Sequence, residues 1–96
     1  MLRGKQRSYL KSLAHSLEPV MQIGKNGITE TVLKQIDDLL TARELIKINL
    51  LNNSMLDVKE TANEIAEQLG AEYVQSIGNK IVLYRESKEK LIDLPK

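Results

Sequence analysis

Three stretches of the chain repeat apolar residues at helical steps, and four shorter ones read as strands. Between Gly4 and His15, Tyr9, Leu10, Leu13 and, just beyond, Leu17 form a narrow apolar stripe, with Arg3, Lys5, Arg7 and Lys11 around it. From Thr29 to Ala42, Val32, Leu33, Ile36, Leu39 and Leu40 recur three or four apart. Thr29 is placed to cap that helix, and Glu30 falls in the first turn, where a carboxylate suits the helix dipole. Val58, Ala62, Ile65, Ala66 and Leu69 repeat the pattern between Asp57, a capping residue, and Gly70, where a left-handed stop is expected. The strand candidates are Pro19 to Ile23, Leu45 to Leu51, Tyr73 to Ile77 and Lys80 to Arg85. In the second of these, Ile46, Ile48 and Leu50 alternate with Lys47 and Asn49. Gly78-Asn79 between the last two suits a type II′ hairpin, since glycine accepts the first central position.

The order predicted is α-β-α-β-α-β-β. Strands that alternate with helices need crossovers and some parallel pairing, while the final hairpin is antiparallel. An α/β fold follows, a four-stranded mixed sheet packed with three helices. The expected organisation is one domain over residues 1–96, with 86–96 a tail pinned by Leu91, Ile92 and Leu94.

Composition narrows the chemistry. There is no cysteine, which removes disulfides, thiol nucleophiles and thiolate-bound zinc. His15 is the only histidine, too little for a usual metal site or a triad, and reads as a helix-end dipole partner. No metal, cofactor or catalytic constellation is expected, so the chain reads as a binding module and not an enzyme. No apolar run reaches membrane length and no apolar stretch follows the basic N-terminus, so a cytoplasmic protein is expected, with no membrane partner. The net charge of +1 conceals three blocks. Residues 1–34 carry +4, residues 35–72 carry −5 and residues 73–96 carry +2. A polyanion fits the two ends better than the middle. Asp37 and Asp38, adjacent on a helix, read as solvated surface.

Gly24-Lys25-Asn26-Gly27 joins an apolar strand to a capped helix. Two glycines allow positive φ and close backbone approach, and the helix start offers unpaired N–H groups to an anion. Lys25 adds a charge and Asn26 a neutral donor. A GXXG loop of this kind clamps single-stranded backbone in KH domains. Spacing alone also fits a plain strand-to-helix turn; the strand–helix setting and the basic first helix favour phosphate binding. Neither a Walker loop nor a dinucleotide fingerprint is present, so the loop holds phosphate without acting on it. With only Tyr9, Tyr73 and Tyr84, there is no aromatic platform for stacking bases.

Leu13-Ala14-His15, Pro19-Val20, Ile23 through Thr29, Glu44 through Ile48, Ile77-Gly78 and Val82 through Arg85 together resemble the CRM domain, in its bacterial stand-alone form related to YhbY. The resemblance runs over about residues 2 to 96. It implies a sandwich similar to the C-terminal domain of bacterial translation initiation factor three, RNA binding, and association with precursors of the large ribosomal subunit. It places the family's loop glycines on Gly24 and Gly27, with Lys25 and Asn26 between them, and a basic surface on Lys5, Arg7 and Lys11. Lys34 adds longer-range attraction. The acidic third helix (Glu60, Glu64, Glu67) cannot lie against RNA, which confines contact to the loop side. The rival reading is a protein-interaction module, docking on a ribosomal protein through its acidic helices. A monomer is expected.

Overall fold

The computed structural model describes residues 2–24, 26–51 and 57–95. Its elements are α1 (Gly4–Ala14), β1 (Met21–Ile23), α2 (Glu30–Arg43), β2 (Leu45–Leu50), α3 (Val58–Leu69), β3 (Glu72–Ile77) and β4 (Lys80–Tyr84). The predicted order is the observed one. The sheet runs β1-β2-β4-β3, with β1 parallel to β2 and the other two pairings antiparallel.

The helix ends follow their capping chemistry. Thr29 Oγ1 accepts from the Val32 amide at 3.1 Å, and Asp57 Oδ1 from the Glu60 amide at 2.8 Å. Gly70 stops α3 at φ 64°, the left-handed conformation expected of it. Arg3 has no acceptor to cap α1; instead the Gln6 side chain reaches back to the Arg3 N–H at 3.1 Å.

Side chains alternate across the sheet and divide the core in two. Ile46, Ile48 and Leu50 of β2, with Ile81 and Leu83 of β4, meet Ile36 and Leu40 of α2 and Ala62, Ile65 and Ala66 of α3. Leu45, Val74, Val82 and Tyr84 point the other way, onto Leu10 and Ala14 of α1, where Ile92 and Leu94 complete the cover. The result is three layers, with α2 and α3 on one face and α1 with the C-terminal segment on the other. β4 lies between neighbours and between layers, and its residues from Ile81 to Tyr84 are buried.

Three expectations need correction. Tyr9 and Leu17 are exposed, because Tyr9 lies about 100° around α1 from Leu10 and Leu17 falls beyond the helix, which ends at Ala14. The first strand begins at Met21, since the register with β2 runs over Met21, Gln22 and Ile23; Val20 adds one bond, its N–H donating to the Lys47 carbonyl at 2.8 Å, and Pro19 has no N–H to extend the ladder. Asp37 is not merely solvated. Its Oδ1 meets Arg85 Nη1 at 2.6 Å, and the same guanidinium donates to the carbonyls of Leu69 and Asp37 and to Thr41 Oγ1, each at 2.9 Å. One fork thus ties the end of β4 to α2 and to the last turn of α3.

Glu44 is the other unforeseen element. It is fully buried, at φ 68° and ψ −48°, in the sharp turn from α2 to β2. Its Oε2 accepts from the Ser87 hydroxyl, from the Ser87 amide at 3.1 Å and from the Leu91 amide at 2.7 Å; its Oε1 accepts from Ile92 at 2.9 Å. The C-terminal segment is therefore pinned by a carboxylate as well as by Ile92 and Leu94, while Leu91, at 55 % exposure, contributes little burial.

Candidate functional site

β1 and β2 run together and β4 returns, so three connections gather at one end of the sheet. The Ile23 carbonyl accepts from the Leu51 amide at 2.9 Å, and the Asn79 carbonyl from the Leu50 amide at 2.7 Å. The segment from Gly24 to Gly27 and the Gly78-Asn79 turn consequently flank the end of β2. Gly78 has φ 56° and Asn79 is not in positive φ, which is the conformation of the expected hairpin type.

The loop is closed on itself. The Gly27 amide donates to the Gly24 carbonyl at 3.0 Å, so this N–H is engaged within the turn and not presented to an anion. Asn26 is exposed; Lys25 lies outside the described residues. The two glycines also differ in their reasons. Gly27 has φ 69°, which penalises any L side chain. Gly24 is not in positive φ, and a Cβ there would meet Leu51 Cδ1 at an ordinary 3.7 Å. Gly27→Ala is accordingly expected to cost about 1–2 kcal/mol of stability. Gly24→Ala should leave the thermal midpoint nearly unchanged, so any ligand affinity it loses would report blocked approach to the backbone.

Thr29 spends one helix-start donor, Val32 N–H, on its own side chain, and exposed Glu30 sits in the first turn. An anion at this helix start would therefore meet a carboxylate nearby. Lys34 is exposed one turn into α2, at the loop end of the molecule.

The α1 residues are placed differently. Leu2 N–H donates to Glu72 Oε1 at 3.2 Å, which fixes the start of α1 beside the first residue of β3, the sheet end remote from the loop. Gln6 donates to the Pro95 carbonyl at 3.1 Å, so that flank of α1, which also carries Leu13, faces the C-terminal segment. At 100° per residue, Arg7 and Lys11 fall on the opposite flank, toward the loop end. Arg7 is half-buried, and its Nε has no hydrogen-bond partner among the described residues. Lys5 is exposed near the far end. The structure thus joins Gly24, Asn26, Gly27 and Lys34, turns Arg7 and Lys11 toward them, and leaves Lys5 apart.

Apart from Glu30 at the α2 start, the exposed acids of α2 and α3, Asp38, Glu60, Glu64 and Glu67, lie on the other side of the sheet from α1. Among the described residues no group of His, Asp and Glu could hold a metal ion, and no helix is long and apolar enough to cross a membrane.

Sheet order, three-layer packing and a glycine-bounded loop ahead of α2 define an α/β sandwich with its loop at one sheet end. Residues 2–85 match the CRS1 / YhbY (CRM) domain. The chain belongs to the CRM-domain family. It is 48 % identical over 96 residues to the Bacillus subtilis protein named "Probable RNA-binding protein YqeI", covering 99 % of this chain and all of that one. A Haemophilus influenzae protein named "RNA-binding protein" is 42 % identical over 95 residues, covering 99 % and 96 % of the two chains. The solution structure of a hypothetical Staphylococcus aureus protein, put forward as RNA-binding, is 55 % identical with a TM-score of 0.84, and the match covers 99 % of this chain and 100 % of that one.

Proposed function

We propose that this protein is a single-domain, monomeric cytoplasmic RNA-binding module over residues 1–96, not an enzyme, that grips the sugar-phosphate backbone through Gly24, Lys25, Asn26 and Gly27. The observation that carries the reading is the closed, glycine-bounded loop set directly ahead of the α2 N-terminus, in a family whose relatives are named for RNA binding. Close approach is open at Gly24, Asn26 supplies a donor, and the helix start adds its dipole. Lys34, Arg7, Lys11 and the more distant Lys5 supply longer-range attraction. The RNA is that of a large ribosomal subunit precursor, and the role is assembly of that subunit.

Its test is a salt series with a fragment of large-subunit ribosomal RNA. With about three to five phosphates neutralised, log affinity should fall against log salt with a slope near −0.7 per phosphate for a single strand. A flat response would remove the backbone grip. Charge reversal of Glu60, Glu64 and Glu67 to Lys should leave ribosomal association in place; its loss would point to docking through the acidic helix.

A further inference from the structure

Half of one sheet face is left open by the layer above it. The strand register fixes a row across all four strands, Gln22–Asn49–Lys80–Ile77, each the pairing neighbour of the next. Paired residues share a face. This row lies on the α1 side, because Val82 and Tyr84, two and four residues along β4 from Lys80, pack beneath α1. The cover by α1 and the C-terminal segment reaches the row of Leu45 and Tyr84, and Val82 in the next, but not Lys80. Gln22 and Lys80 are exposed, Asn49 is half-buried, and Ile77 is 54 % exposed. Lys47 and Gln75, which pair on either side of Val82, are half-buried at the border of the open area.

The chemistry of this strip is one-sided. These two rows hold two lysines and three carboxamides and no carboxylate, and neither Lys47 nor Lys80 has an ion pair among the described residues. Arg7 and Lys11 border it from α1. On the other side it runs into the loop, since Gln22 is two residues before Gly24 and Lys80 directly follows the Gly78-Asn79 turn. Apart from Glu30 at the α2 start, the acids of α2 and α3 lie on the opposite face. That separation suits a polyanion and repels an acidic protein surface. A row spanning four strands is about 14 Å long at ~4.8 Å per strand, room for a short run of nucleotides but too flat to fill a duplex groove. Carboxamides can both donate to and accept from the edges of unstacked bases or a 2′-hydroxyl, and Ile77 offers an apolar surface to a ribose or base.

Resting on the RNA-binding reading above, we infer that this strip is a second RNA contact, continuous with the loop. A single-stranded segment lies across it, its backbone held at Gly24–Gly27 and its bases turned toward Gln22, Asn49 and Gln75. Lys80 and Lys47 neutralise phosphates on the way. The strip gives the protein a base preference that a backbone grip by itself lacks.

The experiment titrates the full chain with short single-stranded oligonucleotides, oligouridine and oligoadenosine, while following backbone amide resonances. Affinities of Lys80→Glu and Asn49→Asp are measured beside the wild type and the loop variant Lys25→Asp/Asn26→Asp. The amides of Gln22, Asn49, Ile77 and Lys80 should shift together with those of the loop, and each strip variant should bind about tenfold more weakly. Both strip positions are solvent-accessible, and the wild-type titration needs no variant to fold. If the loop variant loses binding while both strip variants bind as the wild type and the strip resonances stay still, the second contact is overturned and the backbone grip stands. If the wild type binds neither oligonucleotide nor the ribosomal RNA fragment at low salt, both readings fall together.

Discussion

Glu44→Gln is expected to destabilise the protein by about 3 kcal/mol, a shift of roughly 10–20 °C in thermal midpoint for a domain of this size. The carboxylate is fully buried and accepts four hydrogen bonds, from Ser87 twice, Leu91 and Ile92. Glutamine keeps one acceptor oxygen, and in its better orientation its NH2 group faces the Ile92 N–H, which then loses its acceptor and meets another donor. The turn geometry at φ 68° persists only while those bonds hold the side chain in place, which adds to the penalty. A pH signature separates this from simple loss of packing. Burial by itself would raise the Glu44 carboxyl, but the Ser87 hydroxyl and the amides of Leu91, Ile92 and Ser87 outweigh it and hold the group below its ordinary value of 4.5. A depressed folded value means stability that is fully present above 4.5 and is lost as pH falls through the lower folded value. Urea midpoints taken from neutral to acid pH should therefore fall in the wild type below about 4.5. The Gln variant should start low and lack that acid component. Equal midpoints at neutral pH would show that Glu44 does not hold the C-terminal segment.

Lys25→Asp/Asn26→Asp is expected to weaken binding of large-subunit ribosomal RNA about 100-fold near 0.1 M salt, equivalent to about 2.7 kcal/mol. One charge-assisted phosphate contact is worth about 1.5–3 kcal/mol, and the variant adds two carboxylates to the loop proposed to hold the phosphate, just ahead of Glu30 in the chain. The salt slope should shrink by about 0.7 for each phosphate that is no longer neutralised. Both glycines remain, so the Gly27 conformation and the Gly24–Gly27 bond are kept, and circular dichroism should be unchanged. Unchanged affinity would reduce the loop to a turn.

The sequence disclosed what local rules govern. Thr29, Asp57 and Gly70 announce helix ends through their own side chains or lack of one, and Gly78-Asn79 carries its turn chemistry in two residues. Alternation in Leu45–Leu50 identified the face that meets α2 and α3. What escaped depends on partners far along the chain. Glu44 looked like any acid at a helix end, and only the return of residues 87–92, more than 40 positions later, buries it. Asp37 meets Arg85 across 48 residues, and no local pattern reports that. Tyr9 and Leu17 satisfied helical spacing, yet the sheet beneath α1 takes a narrower face than Tyr9 needs and the helix stops at Ala14, before Leu17. At the site, the loop was legible because glycines mark it. The open strip was not, since Gln22, Asn49, Lys80 and Ile77 come from four strands and become neighbours only through their register.

The proposed grip is mounted on a short edge strand of the sheet. β1 is three residues long and bonded on one side only, whereas β2 and β4 are flanked on both. Local opening can detach β1, and Gly24 with it, at a smaller free-energy cost than unfolding the β2–β4–β3 centre. Occupancy of the loop and hydrogen-exchange protection at Met21–Ile23 are then thermodynamically coupled. A ligand that binds only the attached form resists detachment by RT ln(1 + L/Kd), which grows with its free concentration L. On the proposed function, RNA at the loop would supply the second edge that β1 lacks.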